Sequence, residues 1–163
     1  MIKIINGNIL NCTENIICQQ VNCMGVMGAG LAKQIRNKYP KVFNEYKRIL
    51  DWGKEEYKKG YSKNKYPLGS VQFVRTDDEK VIANIFGQLE YGKNKIYTDY
   101  EALEKGFCGV LEAVTWDNSK LQGYSIAIPY GIGCGLAGGS WDVVYKIIEK
   151  VFNDYNATIY KFN

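Results

Sequence analysis

The chain has 163 residues, 46% of them apolar and 23% charged, with a formal net charge of +4 and no histidine. That length suits one domain with a real core, expected to span residues 1–163. The missing imidazole excludes any mechanism that uses histidine as a base or as a phosphate-binding nucleophile.

The positive charge is mild and spread through the chain, so it helps an anionic ligand without marking a nucleic-acid protein. Cys12, Cys18, Cys23, Cys108 and Cys134 make an odd set with no C-x-x-C pair, which argues against a disulfide framework and a zinc site. Reduced thiols in the cytoplasm are the natural reading. No charged n-region with an apolar h-region opens the sequence, and no apolar run approaches a membrane span. No membrane contact, no metal, no cofactor and a monomeric state are therefore expected.

In chain order, Ile2 to Ile5 is a short apolar strand ending at the turn signal Asn6-Gly7-Asn8. Asn15 to Val21 has strand composition and runs into Asn22-Cys23-Met24-Gly25-Val26-Met27-Gly28-Ala29-Gly30. Leu31, Ala32, Ile35 and Tyr39 then recur at helical intervals up to Pro40, and Val42, Phe43, Tyr46, Ile49 and Leu50 carry a second helical pattern. Trp52 to Tyr66 is the least globular stretch, with Lys54, Lys58, Lys59, Lys63 and Lys65 among tyrosines and glycines. Interleaved Lys and Tyr suits single-stranded nucleic acid. A solvated loop is the plainer reading, because Asp51, Glu55 and Glu56 dilute the charge.

Pro67 to Val74 and Lys80 to Phe86 read as an antiparallel hairpin turning at Thr76-Asp77-Asp78-Glu79. A polar loop from Gly87 to Tyr97 leads to Thr98-Asp99-Tyr100-Glu101, a capping-box sequence that opens a helix on Leu103, Phe107, Val110, Leu111 and Val114. Trp116 to Gly123 is a turn-rich connection. Ile126-Ala127-Ile128-Pro129 then empties into Tyr130-Gly131-Ile132-Gly133-Cys134-Gly135-Leu136-Ala137-Gly138-Gly139-Ser140-Trp141, followed by Val143, Val144, Ile147, Ile148, Val151 and Phe152 at helical spacing. Thr158 to Phe162 is a closing strand.

Strand, glycine loop and helix thus occur in that order twice. Glycines at a strand's carboxyl end let backbone N–H groups converge on a ligand, and the helix N-terminus behind them favours an anion. In an open α/β sheet, ligands sit outside the carboxyl ends of the strands, and two such loops suit a diphosphate. The alternative is a pair of tight turns with no ligand. Neither loop ends in Gly-Lys-Ser/Thr, which argues against a nucleoside-triphosphate hydrolase, and the first reads G-x-x-G-x-G, which fails the dinucleotide fingerprint.

Gly7-Asn8-Ile9, Gln20-Val21-Asn22-Cys23 with Met27-Gly28-Ala29-Gly30-Leu31-Ala32, and Ile128-Pro129 through Gly131-Ile132-Gly133-Cys134-Gly135-Leu136 to Gly138-Gly139-Ser140-Trp141 together resemble a macro domain. The resemblance covers essentially the whole chain. It is nearest to the branch with terminal ADP-ribose glycohydrolases, antitoxin de-ADP-ribosylases and phage or yeast ADP-ribose-1″-phosphate processing proteins. It implies a three-layer α/β/α sandwich around a central mixed sheet, and ADP-ribose or an ADP-ribosylated substrate as partner.

By that resemblance the two loops, Gly28 to Leu31 and Gly131 to Leu136, hold the diphosphate, and Asn22 hydrogen-bonds the distal ribose. Asn8, where the family usually has Asp, and the amide of Ile9 read the adenine; on its own terms Asn8 equally shapes a turn. One of Tyr160 and Phe162 stacks on the base, Phe162 being the choice, while the other is core.

The relatives' catalytic lysine falls at Gly87 or Gln88 here, and their aspartate at Ala137, so a lysine adduct lacks its amine and its carboxylate. Lys93 or Lys95 reaches in from the same loop, or is simply solvated. Asp142 is a candidate carboxylate or complements the helix dipole. Cys134 is a nucleophile with a pKa lowered by surrounding amides, or a small loop filler. The expected function is binding of an ADP-ribose derivative with hydrolysis, either of ADP-ribose-1″-phosphate or of an ADP-ribosyl adduct. The alternative is a non-catalytic module that captures ADP-ribose.

Overall fold

The computed structural model describes residues 1–162. Six strands form one sheet in the order β1 (Ile2–Asn6), β6 (Ala157–Lys161), β5 (Ile126–Pro129), β2 (Ile16–Val21), β4 (Val81–Phe86) and β3 (Val71–Arg75). All pairings are parallel except the β3–β4 hairpin. β4 is buried along its whole length and β2 almost so, which is why both read as near-continuous apolar runs: strands covered on both faces have no solvent side to alternate with.

Helices α1 (Gly30–Lys38) and α2 (Pro40–Lys58) cover one face. There Ile35, Val42, Tyr46 and Leu50 pack with Ile17, Val21, Ile82 and Phe86. Helices α3 (Tyr100–Thr115) and α4 (Trp141–Val151) cover the other, where Leu103, Phe107, Val110, Val144 and Ile148 meet Ile16, Cys18, Ile85 and Ile128. Close seating of α3 requires two glycines: a Cβ on Gly106 would lie 2.2 Å from Ile85 Cγ2, and one on Gly109 2.7 Å from Val71 Cγ1. The three-layer α/β/α sandwich with a mixed sheet is as the sequence predicts.

β2 and β5 lie side by side, yet β2 feeds a helix on one face and β5 a helix on the other. Their connecting loops diverge, leaving a crevice outside the carboxyl ends of the central strands.

Three local readings need correction. Trp52 to Lys58 is not loop but the last two turns of α2, whose Pro40 start and buried Val42, Tyr46 and Leu50 stripe carry the helix through the lysines. β3 begins at Val71, because Pro67 to Ser70 is a turn closed by Ser70 N donating to Pro67 O. The α3 cap is Asp99, whose carboxylate accepts from Ala102 N at 3.0 Å, and Thr98 is freed for another use.

Candidate functional site

The loop after β2 is organised by Asn22. Its Oδ1 accepts from Met24 N at 3.0 Å and from the buried Tyr46 hydroxyl at 2.8 Å, while its Nδ2 donates to Val26 O at 2.8 Å. This side chain is first of all a loop fastener, with one amide hydrogen left for a ligand. Beyond it, the N–H groups of Gly28, Ala29, Gly30 and Leu31 have no partner among the described residues. The last two belong to the first turn of α1, where the helix dipole is positive.

The loop after β5 is a chain of tight turns. Ile132 N donates to Pro129 O, Cys134 N to Gly131 O, Gly138 N to Gly135 O and Gly139 N to Gly133 O. Gly131 and Gly133 hold φ of 78° and 74°, a region that L side chains rarely adopt. These turns leave the N–H groups of Gly133, Gly135 and Leu136 without partners among the described residues. Two sets of free donors therefore flank the crevice.

Between them lies a cavity of about 670 Å³, walled by both loops and by Gln88, Tyr91, Gly92 and Lys93 from the stretch after β4. Lys93 is the one charged side chain on that wall among the described residues. The lining, Gly28 to Ala32 and Gly131 to Gly133 with Gly135 to Ala137, is mostly backbone, glycine and aliphatic. Such a lining takes an anion by N–H donation and an apolar ring or sugar face by contact.

Beneath the second loop sits a polar clamp that joins three segments. Gln20 Nε2 donates to Gln88 Oε1 at 2.9 Å and to Thr98 Oγ1 at 3.0 Å, and Thr98 Oγ1 donates to Gly133 O at 2.6 Å. Gln88 Nε2 donates to Glu90 O at 2.8 Å. Backbone carbonyls only accept, so Glu90 O and Gly133 O set the direction of every bond in the chain. Gln20 must turn its NH₂ toward Gln88 and Thr98, and its Oε1 is left buried without a partner. That oxygen occupies the space beside Gly87 and Gly133, where added Cβ atoms would lie 2.4 and 2.9 Å from it. Glycine is thus needed at residue 133 twice over, for its φ and for its contact. A parallel chain, Gln19 to Asn84 to Gln72 to Glu45 O, crosses the other face of the sheet.

Of the residues singled out from sequence, Asn22, Gly28, Ala29, Gly30, Leu31, Lys93, Gly131, Ile132, Gly133, Gly135 and Leu136 line the cavity. Asn8, Ile9, Cys134, Asp142, Tyr160 and Phe162 do not. Asn8 Oδ1 accepts from Leu10 N at 3.0 Å and caps the short 3-10 turn Ile9–Asn11, so it shapes a turn, and Ile9 is core. Tyr160 is also core, with its hydroxyl donated to both Glu14 oxygens at 2.7 and 2.8 Å; burial first, then that bond, pushes its pKa up to about 12. Phe162 lies just past β6 and is 76% exposed.

The lowered thiol pKa expected at Cys134 is contradicted. The half-buried sulfur packs against the α3/α4 core and contacts Ile132 O at 3.4 Å, so burial raises its pKa. Asp142 is exposed in the first turn of α4, away from the cavity wall. Gln20, Thr98 and Tyr91 were not anticipated. Thr98 had been absorbed into the capping box, and Gln88 had been read only as the place of a missing lysine.

The sequence model of the Macro domain family matches residues 18–148. An uncharacterized 17.5 kDa protein from the tk-vs intergenic region of Enterobacteria phage T4 is 28% identical over 91% of this chain and 88% of its own length. The DNA ADP-ribosyl glycohydrolase of Mycobacterium tuberculosis is 26% identical over 98% of this chain, which spans 42% of that protein. The solved macrodomain of Mycobacterium tuberculosis DarG superposes with a TM-score of 0.72 at 24% identity, covering 98% of this chain and 97% of that one, a likeness of fold.

Proposed function

This chain belongs to the macro domain family, and we propose on that premise that its cavity binds ADP-ribose and that the protein releases ADP-ribose from an adduct. The observation that carries the reading is the pair of glycine loops, each with unpartnered N–H groups on residues that line one cavity of about 670 Å³. Two sets of backbone donors match two phosphates, and the volume suits a nucleoside diphosphate sugar. The diphosphate lies between Gly28 to Leu31 and Gly133 to Leu136. The distal ribose points toward Asn22, Gln88 and Lys93, and the base lies toward the end of β6, with Phe162 available to stack on it.

The relatives that bear the name DNA ADP-ribosyl glycohydrolase support nucleic acid as the group that carries the ADP-ribose. Hydrolysis adds water across the bond at the 1″ carbon. With Gly87 or Gln88 at the relatives' lysine position and Ala137 at their aspartate, the water is oriented by the substrate's own diphosphate, and Lys93 supplies positive charge. ADP-ribose-1″-phosphate is the second substrate class to assay. The domain acts as a monomer in the cytoplasm of a bacterium or of a phage's host, where its five cysteines stay free.

A capture module without turnover is the second reading. The observation that favours it is that no carboxylate or thiol lines the cavity among the described residues. Calorimetric titration with ADP-ribose, followed by product assays on ADP-ribosylated oligonucleotide and on ADP-ribose-1″-phosphate, separates the readings. Micromolar or tighter binding with released ADP-ribose supports the hydrolase, binding without product supports capture, and absence of binding overturns both.

A further inference from the structure

We propose that the end of α2 and the segment after it form a landing surface for a single nucleic-acid strand beside the cavity. The inference deepens the reading of the cavity as an ADP-ribose site and rests on it. From Tyr57 to Lys65 the chain reads Tyr-Lys-Lys-Gly-Tyr-Ser-Lys-Asn-Lys, with four lysines and no acid. Tyr57 is 47% exposed and Tyr61 78%, and Lys58, Lys59, Lys63 and Lys65 are all exposed. The ion pairs of the described residues, Arg48–Glu45, Lys105–Glu101 and Lys150–Glu104, use none of these lysines. Exposed rings among ammonium groups held in none of those ion pairs are what a flexible polyanion with stackable bases requires.

The surface is placed where such a strand would be needed. The segment rejoins the sheet through Gly69 N, which donates to Phe86 O at 2.9 Å, and Phe86 is the last residue of β4. From that same strand end departs the loop whose Tyr91, 54% exposed, and Lys93 line the cavity. Farther along it the Lys95 ammonium lies 5.1 Å from the Tyr97 ring centroid. The segment that follows α2 and the loop that carries Tyr91 and Lys93 thus meet at the same end of β4. A polyanion is drawn to the α2 corner by its exposed lysines. Isolated exposed rings stack on unpaired bases, so the strand is single.

The test is fluorescence anisotropy with a dye-labelled oligothymidylate of about twelve nucleotides, long enough to cover such a site. Wild type is expected to bind with a log K against log salt slope of about −2 to −3, from roughly −0.7 per phosphate neutralised. A Lys58→Glu/Lys63→Glu/Lys65→Glu variant should lose at least tenfold in strand affinity with unchanged ADP-ribose affinity. Tyr61→Ala should lose several-fold for the single strand but not for a duplex of the same length. Salt-independent binding, or a triple variant that binds like wild type, would overturn the surface. So would lysine-dependent binding of phosphatidylglycerol vesicles or polyglutamate without oligothymidylate binding. If the strand binds as described and ADP-ribose does not, the cavity reading fails and the surface survives it.

Discussion

The two ends of the cavity are built by different means. The loops over β2 and β5 present backbone: glycines held at positive φ and the first turn of α1, with N–H groups left without partners among the described residues. The wall after β4 presents side chains, Gln88, Tyr91 and Lys93, of which only Gln88 is buried and fixed by hydrogen bonds. A backbone cradle depends on local conformation, so it is rigid and indifferent to what hangs beyond the phosphates. A side-chain wall is open to replacement, and the family resemblance leads one to expect a lysine there, at Gly87 or Gln88. Binding and any chemistry can therefore be tested separately.

Breaking the cradle gives the largest expected effect. Gly133→Glu puts a side chain at φ 74°, drives a Cβ to within 2.9 Å of Gln20 Oε1 and adds a negative charge at the donors. Strain of about 1–3 kcal/mol plus repulsion predicts at least ~100-fold weaker ADP-ribose binding by calorimetry. Next comes the clamp. Thr98→Val removes the side-chain donor to Gly133 O, which keeps only Gly139 N, and leaves one Gln20 hydrogen bond unmade, predicting a loss of about 1–3 kcal/mol of stability in denaturant melts. ADP-ribose affinity should fall with it, and Thr98→Ser should restore both.

On the other wall, Lys93→Ala should weaken ADP-ribose by roughly two- to fivefold at low salt and by nothing measurable at high salt, as an exposed charge acting through solvent does. An equal loss at both salts would mean that Lys93 is enclosed with the ligand. Asp142→Asn should leave affinity and product release unchanged. It should cost only about 0.3–1 kcal/mol of stability through the α4 dipole, readable as a small shift in melting temperature.

How much of this the sequence carried follows from the range of each interaction. The buried strands and the two strand–glycine–helix units are local patterns, and their register on one sheet edge follows from parallel topology. The clamp is not local, since Gln20 meets Gln88 and Thr98 from 68 and 78 residues away. No spacing rule points to it. Cys134 and Asp142 lie off the cavity wall for another reason: being next to a loop in sequence does not fix which way a side chain points, and one packs on the core while the other is exposed. Trp52 to Lys58 misled because its lysines and tyrosines hide the helical stripe that Val42, Tyr46 and Leu50 had already established.

The most direct test of the central claim is amide chemical-shift mapping of isotope-labelled protein titrated with ADP-ribose. The largest shifts are predicted at the N–H groups of Gly28 to Leu31 and of Gly133, Gly135 and Leu136, both sets moving together with one affinity. Saturable binding that leaves those amides unmoved and shifts residues elsewhere would contradict the account.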